Sequence, residues 1–319
     1  MMPMSLRTNA HEIIRTWDFY TIVKSFYHSN CLPWENVMIT GFVMADKENK
    51  ISKSKNNAKF SPESLLSEKS ADITRYWSAT GSLGKDIIFS EEELKNGAKL
   101  VNKIWNASKF VLSFLQDYED KKVELLPIDK WIIAKFNNMQ NGCCSYLDKY
   151  EIGLAMAELE KFFWNFCDNY IEIAKRRLYN PDVYGQNATD SAKYASFHVL
   201  KQMLKMFAIY LPHVTEEIYK DYFEKYEKKP SIHLTQFAKI DDGEYDQYAL
   251  EGDVVTSIVT EIRKFKSENN LSLKEELKVV KLYGFDDFVK VYEGDIKAVG
   301  CVQNIEYVDA SERKVVIEN

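Results

Sequence analysis

The residues of this sequence that are best suited to chemistry form a short cationic stretch, Lys50-Ile51-Ser52-Lys53-Ser54. A lysine ammonium is a compact point charge on a flexible stem, so it can bind a phosphate group and later release it. The serine hydroxyls between and after the lysines add neutral donors for phosphate oxygens. The stretch therefore indicates either a phosphate-binding loop or a solvated basic surface loop.

The segments before this stretch predict that it follows β-strands. Residues 36–39 are predicted to form a buried strand, residues 41–44 its continuation, and residues 46–49 a turn. In α/β sheets, ligands bind at the carboxyl ends of the strands. The position of the cationic stretch therefore favours the phosphate-binding interpretation.

Most of the remaining chain is predicted to be helical. Between residues 90 and 225, apolar residues recur at spacings that place them on one face of successive helices, and the short connections predict antiparallel neighbours. Ser90 and Glu93 have the spacing of a capping box. A helix is also predicted for residues 10–29, with Asn9 as its cap, and Asp72 is predicted to cap the helix that follows it.

The last part of the chain has a different pattern. Residues 241–244 are predicted to be an acidic linker, and residues 254–268 an amphipathic helix. Short strands are then predicted at 279–283, 305–308 and 315–317. Together these elements indicate a small α/β module.

Composition restricts the classes of protein to which the chain can belong. The net charge is −6 at pH 7, so contact with nucleic acid would require a local basic face. The five cysteines show no Cys-x-x-Cys spacing, which predicts no protein-bound zinc and reduced thiols in a cytoplasm. No apolar run is long enough to span a membrane, and the amino terminus predicts no secretory leader.

Four residues of the cationic stretch resemble the Lys-Met-Ser-Lys-Ser motif of class I aminoacyl-tRNA synthetases: Lys50, Ser52, Lys53 and Ser54. Ile51 replaces the methionine of that motif, and Asn56 stands where the family usually has glycine. Further stretches are similar to the valyl members of the family, in the same order along the chain: residues 11–17, 106–110, 166–172 and 211–218. The resemblance covers residues 1–240.

This resemblance implies a mainly α chain, α+β overall, with three parts. Residues 1–80 would form the carboxyl-terminal remnant of a Rossmann-like nucleotide-binding catalytic domain that carries the lysine motif. Residues 81–240 would form an antiparallel helical bundle that binds the anticodon stem. Residues 241–319, which the resemblance does not cover, would form the small α/β module that their own pattern predicts.

The resemblance also implies an activity, the ATP-dependent charging of tRNA(Val) by a valine–tRNA ligase. In this reaction the amino-acid carboxylate attacks the α-phosphate of ATP, and charge builds up on the departing pyrophosphate. Lys50 and Lys53 would be catalytic because they stabilise that charge, and Ser52 and Ser54 would complete the ATP-binding set. Mg²⁺ would arrive on the nucleotide.

Two groups of residues are predicted to contact the tRNA. Lys175, Arg176 and Arg177 form the best basic cluster of the helical region, although cations at a helix end also complement the helix dipole. The residues predicted to reach bases are Trp164, Asn165 and Asn169. Trp164 could stack on a base or belong to the core.

The family also requires a His-x-Gly-His element, and the five histidines of this sequence form no such pair. We therefore expect these 319 residues to be the carboxyl-terminal portion of a ligase and to be inactive alone, with an amino-terminal catalytic half on the same or a separate chain. The alternative is a stand-alone tRNA-binding protein that derives from a synthetase and has lost catalysis.

Overall fold

The computed structural model describes residues 2–51, 62–239 and 243–318. It divides into two compact units. Unit 1 comprises Met1–Trp105, Gly142–Glu158 and Phe207–Glu217; unit 2 comprises Asn106–Asn141, Leu159–Met206 and Ile218–Asn319. The described residues are mainly helical with small sheets, which confirms the predicted fold class. The division into residues 1–80, 81–240 and 241–319 stays a prediction.

The α-helices of the described residues are α1 (Phe19–Ser29), α2 (Pro62–Glu68), α3 (Ala71–Ala79), α4 (Glu91–Ser113), α5 (Pro127–Leu147), α6 (Ile152–Asn165), α7 (Ile171–Tyr179), α8 (Pro181–Tyr184), α9 (Gln186–Phe207), α10 (Pro212–Ile218), α11 (Glu224–Glu227), α12 (Asp246–Glu268) and α13 (Glu293–Gly300). The strands are β1 (Met4–Ala10), β2 (Trp34–Thr40), β3 (Val43–Met44), β4 (Ile87–Ile88), β5 (Leu277–Tyr283), β6 (Val302–Val308) and β7 (Lys314–Glu318). None of the described helices is both long and apolar enough to cross a membrane.

Unit 1 begins with a β1–α1–β2 segment in which the two strands pair in parallel, from Met4 opposite Trp34 to Ala10 opposite Thr40. The predicted helix over residues 10–29 is wrong at its start, because a 3₁₀ turn and a π-helical turn precede α1. Asn9 does not cap a helix; it lies in β1, and its Nδ2 donates to Asp18 Oδ2 at 3.0 Å. Residues 4–10 form a strand because they pair with β2. Since β2 lies far from β1 in sequence, no local pattern predicts this pairing.

A second parallel pair in unit 1 is formed by β3 and β4, so residues 43–44 are not a continuation of β2. The chain passes from β2 to β3 at Gly41, where a Cβ would lie 2.2 Å from the backbone oxygen of Lys85. Only glycine permits this close backbone approach. Next to it, the Phe42 N–H donates to Asp86 Oδ1 at 2.7 Å, which holds the start of β3.

Asp72 caps a different helix from the one that the sequence predicts. The cap of α3 is Ser70, whose hydroxyl accepts from the Ile73 N–H. The Asp72 carboxylate is buried and accepts from the N–H groups of His213 and Val214, at 3.1 and 2.8 Å, in the first turn of α10. Asp72 therefore satisfies helix donors that lie far away in sequence but within unit 1.

We expect Asp72→Ala to raise amide exchange at His213 and Val214 about five- to thirtyfold, since losing a carboxylate cap costs on the order of 1–2 kcal/mol. The measurement is hydrogen exchange by NMR. Asp72→Asn keeps one acceptor oxygen and should give a smaller increase. Equal exchange rates in all three proteins would contradict this role for Asp72.

Unit 2 is organised around fully buried aromatic side chains contributed by several helices: Trp131, Phe163, Phe166, Phe197 and Phe223. Between α6 and α7 the backbone makes one π-helical turn, Phe166–Tyr170, so α6 and α7 form one continuous but locally widened helix. Its apolar stripe is buried as the sequence predicts.

The carboxyl-terminal part of unit 2 contains the predicted helix and strands. β5 is the central strand, with β6 parallel on one side and β7 antiparallel on the other. Helix α12 begins at Asp246, eight residues earlier than predicted, and α13 was not predicted. Gly252 of α12 lies against Trp131, where a Cβ would be 2.2 Å from the indole Cγ, so glycine allows this close packing.

Candidate functional site

Lys50 follows the predicted turn at residues 46–49, which the structure confirms. The Asp46 carboxylate accepts from the N–H groups of Glu48 and Asn49, at 2.9 and 2.8 Å. The chain then returns to β3, where Lys50 forms an antiparallel bridge with Met44. The backbone of Lys50 is thus fixed at the end of a short parallel strand pair, the position predicted for a ligand-binding loop.

The Lys50 side chain is oriented by residues from two other segments of unit 1. Its Nζ lies 2.9 Å from both carboxylate oxygens of Glu12 and 3.7 Å from the centre of the Phe42 ring, against which the His11 ring also packs. The side chains of Lys50 and Glu12 are 40% and 49% exposed. An exposed ion pair of this kind is weak, so an anion can replace the carboxylate.

The other members of the predicted ATP-binding set, Ser52, Lys53 and Ser54, lie outside the described residues. Their roles stay predictions.

The predicted basic cluster does not form a single surface. Lys175 pairs with Glu172 one turn earlier, and Nη2 of Arg176 donates to Cys301 Sγ at 3.2 Å. Both cations are half-buried. Another cation, Arg263, also borders this helix, with Nη2 3.8 Å from the Glu172 carboxylate. Lys175 and Arg176 keep part of their surface accessible to a phosphate.

The structure corrects the prediction that Arg177 contacts phosphate. Its side chain is 3% exposed, and its guanidinium makes a two-pronged ion pair with Asp129, at 2.6 and 2.9 Å. The Asp129 carboxylate also accepts from the hydroxyls of Tyr170 and Ser191, at 2.7 and 2.5 Å. Arg177 therefore neutralises a buried carboxylate, which compensates both charges inside the protein.

The pKa values in this cluster reflect burial and charge. Burial alone would lower the pKa of Arg177, but the charge and hydrogen bonds of Asp129, together with Asp295 and Tyr170, outweigh burial and hold that pKa above its usual value. Burial, followed by the Asp129 charge, raises the pKa of Tyr170. Both groups therefore keep their protons at neutral pH.

Asp295 of α13 lies at the edge of this cluster. Its Oδ1 is 3.7 Å from Nε of Arg177, an atom that has no hydrogen-bond partner among the residues that the structure describes. Burial raises the pKa of Asp295 to about 6, although the Arg177 charge opposes the shift and the Asp129 charge adds to it. Asp295 is therefore the carboxylate of the cluster whose charge is least compensated.

The three predicted base-reaching residues lie on α6 and the π-helical turn. The Trp164 indole N–H donates to Glu160 at 3.2 Å, and the Asn169 amide donates to Asn165 Oδ1 at 2.8 Å. All three side chains are half-buried, so each keeps some exposed surface. Their assignment to the tRNA stays a prediction.

A cavity of about 710 Å³ in unit 2 was not found by sequence reasoning. Its lining includes Tyr194 and His198 of α9, Asn137 of α5, and Lys121 and Lys122 of the segment before α5. The spacing of Tyr194 and His198, one helical turn apart, was the signal that could have drawn attention to it. The lysines precede the helix and gave no periodic pattern.

Two family models match the chain. A model for class I tRNA synthetases (I, L, M and V) matches residues 1–90, and a model for the anticodon-binding domain of tRNA ligases matches residues 129–281. The lysine stretch lies within the first match, and Trp164 to Arg177 lie within the second. The chain therefore belongs to the class I tRNA synthetases.

Within that class, the chain is similar over its whole length to valine–tRNA ligases. It is 41% identical to the ligase of Rickettsia canadensis, covering 100% of this chain and 40% of the relative. It is also 41% identical to the ligase of Rickettsia typhi, covering 96% and 38%. The chain thus spans about two fifths of the length of these curated relatives and corresponds to their carboxyl-terminal portion, as the resemblance predicts.

Solved structures show the same fold at low sequence identity. Mycobacterium tuberculosis methionyl-tRNA synthetase in complex with methionyl-adenylate has a TM-score of 0.57 at 16% identity, covering 68% of this chain and 44% of that protein. The Agrobacterium radiobacter K84 agnB2 LeuRS–tRNA–LeuAMS ternary complex has a TM-score of 0.54 at 13% identity. The match covers 77% of this chain and 29% of that protein.

Proposed function

We propose that this chain is part of a cytoplasmic valine–tRNA ligase and contributes both to ATP binding and to tRNA binding. The observation that carries the proposal is the position of Lys50. It is accessible at the end of a strand pair and lies inside the region that matches the synthetase catalytic model. This match favours a ligase over a stand-alone tRNA-binding protein, because such a protein has no need of a phosphate-binding lysine.

In the proposed reaction, the carboxylate of valine attacks the α-phosphate of ATP, and the bond to the pyrophosphate group breaks. Lys50 would exchange its pairing with Glu12 for the β- and γ-phosphates, and Lys53 would join it there. Ser52 and Ser54 would donate hydroxyl hydrogen bonds to phosphate oxygens. Mg²⁺ bound to the nucleotide would neutralise further charge, and an amino-terminal half, on this or another chain, would supply the remaining contacts.

For tRNA(Val), the proposal keeps Lys175 and Arg176 as phosphate contacts and Trp164, Asn165 and Asn169 as base contacts. Arg177 is left out because it is buried. The support is that these residues lie within the region that matches the anticodon-binding model and retain accessible surface.

We expect replacement of Lys175 and Arg176 together with alanine to lower the salt dependence of tRNA binding by residues 1–319. Each phosphate contact releases counterions, so the slope of log K against log salt should fall by up to about two units. Different tRNAs should be weakened alike, because phosphate contacts carry no sequence information. Filter binding across a salt series measures both quantities.

The matched control is the pair Lys290→Ala and Arg313→Ala, two cations that also pair with carboxylates, those of Asp287 and Asp286. This control should leave the slope unchanged. An equal slope in wild type and the Lys175/Arg176 variant would refute these two contacts. If the wild-type chain did not bind tRNA even at low salt, the tRNA part of the proposed function would be wrong.

A further inference from the structure

We propose that the 710 Å³ cavity of unit 2 is a binding pocket for a single nucleotide, with its base on Tyr194 and its phosphate at Lys121 and Lys122. The cavity has the volume typical of small-ligand sites. It is distinct from the lysine stretch and from the residues proposed above for phosphate and base contacts.

The aromatic part of the pocket is preorganised. The rings of Tyr194 and His198 lie 4.1 Å apart with a 40° tilt, and the His198 Nε2 is 2.9 Å from Asp120 Oδ1, which fixes the imidazole. Both rings are half-buried and line the cavity. A planar ring held in this way is a stacking surface that any nucleobase can use. Buried Phe136 and Val199 add apolar wall.

The cationic part of the pocket is formed by Lys121 and Lys122. Both side chains are exposed, and neither forms an ion pair within the ranges that the structure describes. The Asp120 carboxylate next to them accepts a hydrogen bond from His198, but burial lowers the pKa of His198, so the imidazole is neutral and Asp120 keeps its negative charge. The two ammonium groups still outnumber this one carboxylate. Two adjacent ammonium groups beside an aromatic surface match a phosphate attached to a base.

Polar groups on the walls can recognise the edge of a base. The Asn137 carboxamide offers both a donor and an acceptor, a pattern that complements the adenine edge. The Glu244 carboxylate, also in the lining, can accept from an exocyclic amine. The expected ligand is therefore a 5′-nucleotide unit, either free or as an unpaired residue of a bound RNA, and the second source rests on the proposed tRNA binding.

The experiment follows His198 in the whole chain by NMR with ¹³C-labelled histidine, since only five histidines contribute signals. AMP, GMP, CMP and UMP are each titrated to about 10 mM, which detects millimolar affinity. We expect a saturable shift of the His198 signal, strongest for AMP. Tyr194→Ala should weaken binding at least about tenfold and Tyr194→Phe should preserve it, because stacking needs the ring and not the hydroxyl.

Lys121→Ala combined with Lys122→Ala should weaken AMP binding about tenfold and leave adenosine binding unchanged, because only the phosphate contacts these charges. The matched control is Lys95→Ala with Lys99→Ala, two exposed lysines of α4 outside the pocket lining, which should change neither affinity.

Competition with tRNA identifies the source of the nucleotide. If tRNA displaces AMP and Tyr194→Ala weakens tRNA binding, the pocket takes a residue of the RNA; if tRNA leaves AMP in place, it takes a free nucleotide. The proposal is overturned if neither mononucleotides nor tRNA shift the His198 signal, or if the shift survives in Tyr194→Ala. Normal tRNA binding by Tyr194→Ala would leave the proposed function intact.

Discussion

Replacement of Arg177 with alanine is expected to lower the free energy of unfolding of unit 2 by about 3–5 kcal/mol. The substitution leaves the Asp129 carboxylate, which is 0% exposed, without its positive partner. The hydroxyls of Tyr170 and Ser191 still donate to this carboxylate, but neutral donors cannot balance a buried charge. The loss therefore reports the cost of an uncompensated ion rather than the strength of one contact.

The measurement is hydrogen–deuterium exchange of peptides that cover α7 and α9 across a urea series, which follows the opening of unit 2. The matched control is Arg176→Ala, at the adjacent half-buried arginine. We expect this variant to lose less than about 1 kcal/mol of the free energy of unfolding. The double variant Asp129→Leu with Arg177→Met removes both charges and should recover a large part of the loss. If Arg177→Ala cost no more than Arg176→Ala, the compensating role of Arg177 would be disproved.

Asp295→Asn is expected to stabilise unit 2 above pH 6. The carboxyl group has an ordinary pKa of 3.8 in the unfolded chain, and burial raises the pKa of Asp295 to about 6 in the folded state. Because the folded pKa is the higher one, this group favours folding below about pH 4 and loses that contribution as pH rises through 6. At pH 8 the charged form should cost about 3 kcal/mol, two pKa units at about 1.4 kcal/mol each.

Urea unfolding of wild type and Asp295→Asn at pH 4, 6 and 8 checks this expectation. The two proteins should have similar stability at pH 4, most of the gain of the variant should be present by pH 6, and it should rise only slightly further by pH 8. Asp287→Asn is the control, since that carboxylate is exposed and Lys290 lowers its pKa, so it should show no gain at pH 8. A constant difference between wild type and Asp295→Asn at all three pH values would rule out titration of Asp295 as the cause.

The sequence correctly predicted the features that depend on residues close together along the chain. Apolar spacing predicted the long helices, the turn before Lys50 followed from Asp46 and its polar neighbours, and the lysine stretch identified the family. Its errors concern partners distant along the chain. The strand β1 depends on pairing with β2, and the helix that Asp72 caps is more than a hundred residues away. No local pattern encodes either contact.

The same limit applies to the candidate sites. In sequence, Lys175, Arg176 and Arg177 are equivalent members of a basic run, but the structure gives them three different environments. Arg177 points inward because its position on α7 is on the buried face, next to Leu178 and Ala174. The pocket around Tyr194 depends on the segment before α5, on α5, on α9 and on residues near Glu244, which meet only in the folded chain.

The carboxylate of Asp129 also affects structures other than the native one. Its partners Tyr170, Arg177 and Ser191 are 41, 48 and 62 residues away in sequence. A helical arrangement shifted by a single turn would bury the same apolar surface but would separate the Asp129 carboxylate from the Arg177 guanidinium. We expect such misaligned packings to carry the full cost of two isolated buried ions, so the cluster selects one alignment of the helices among many of similar hydrophobic content.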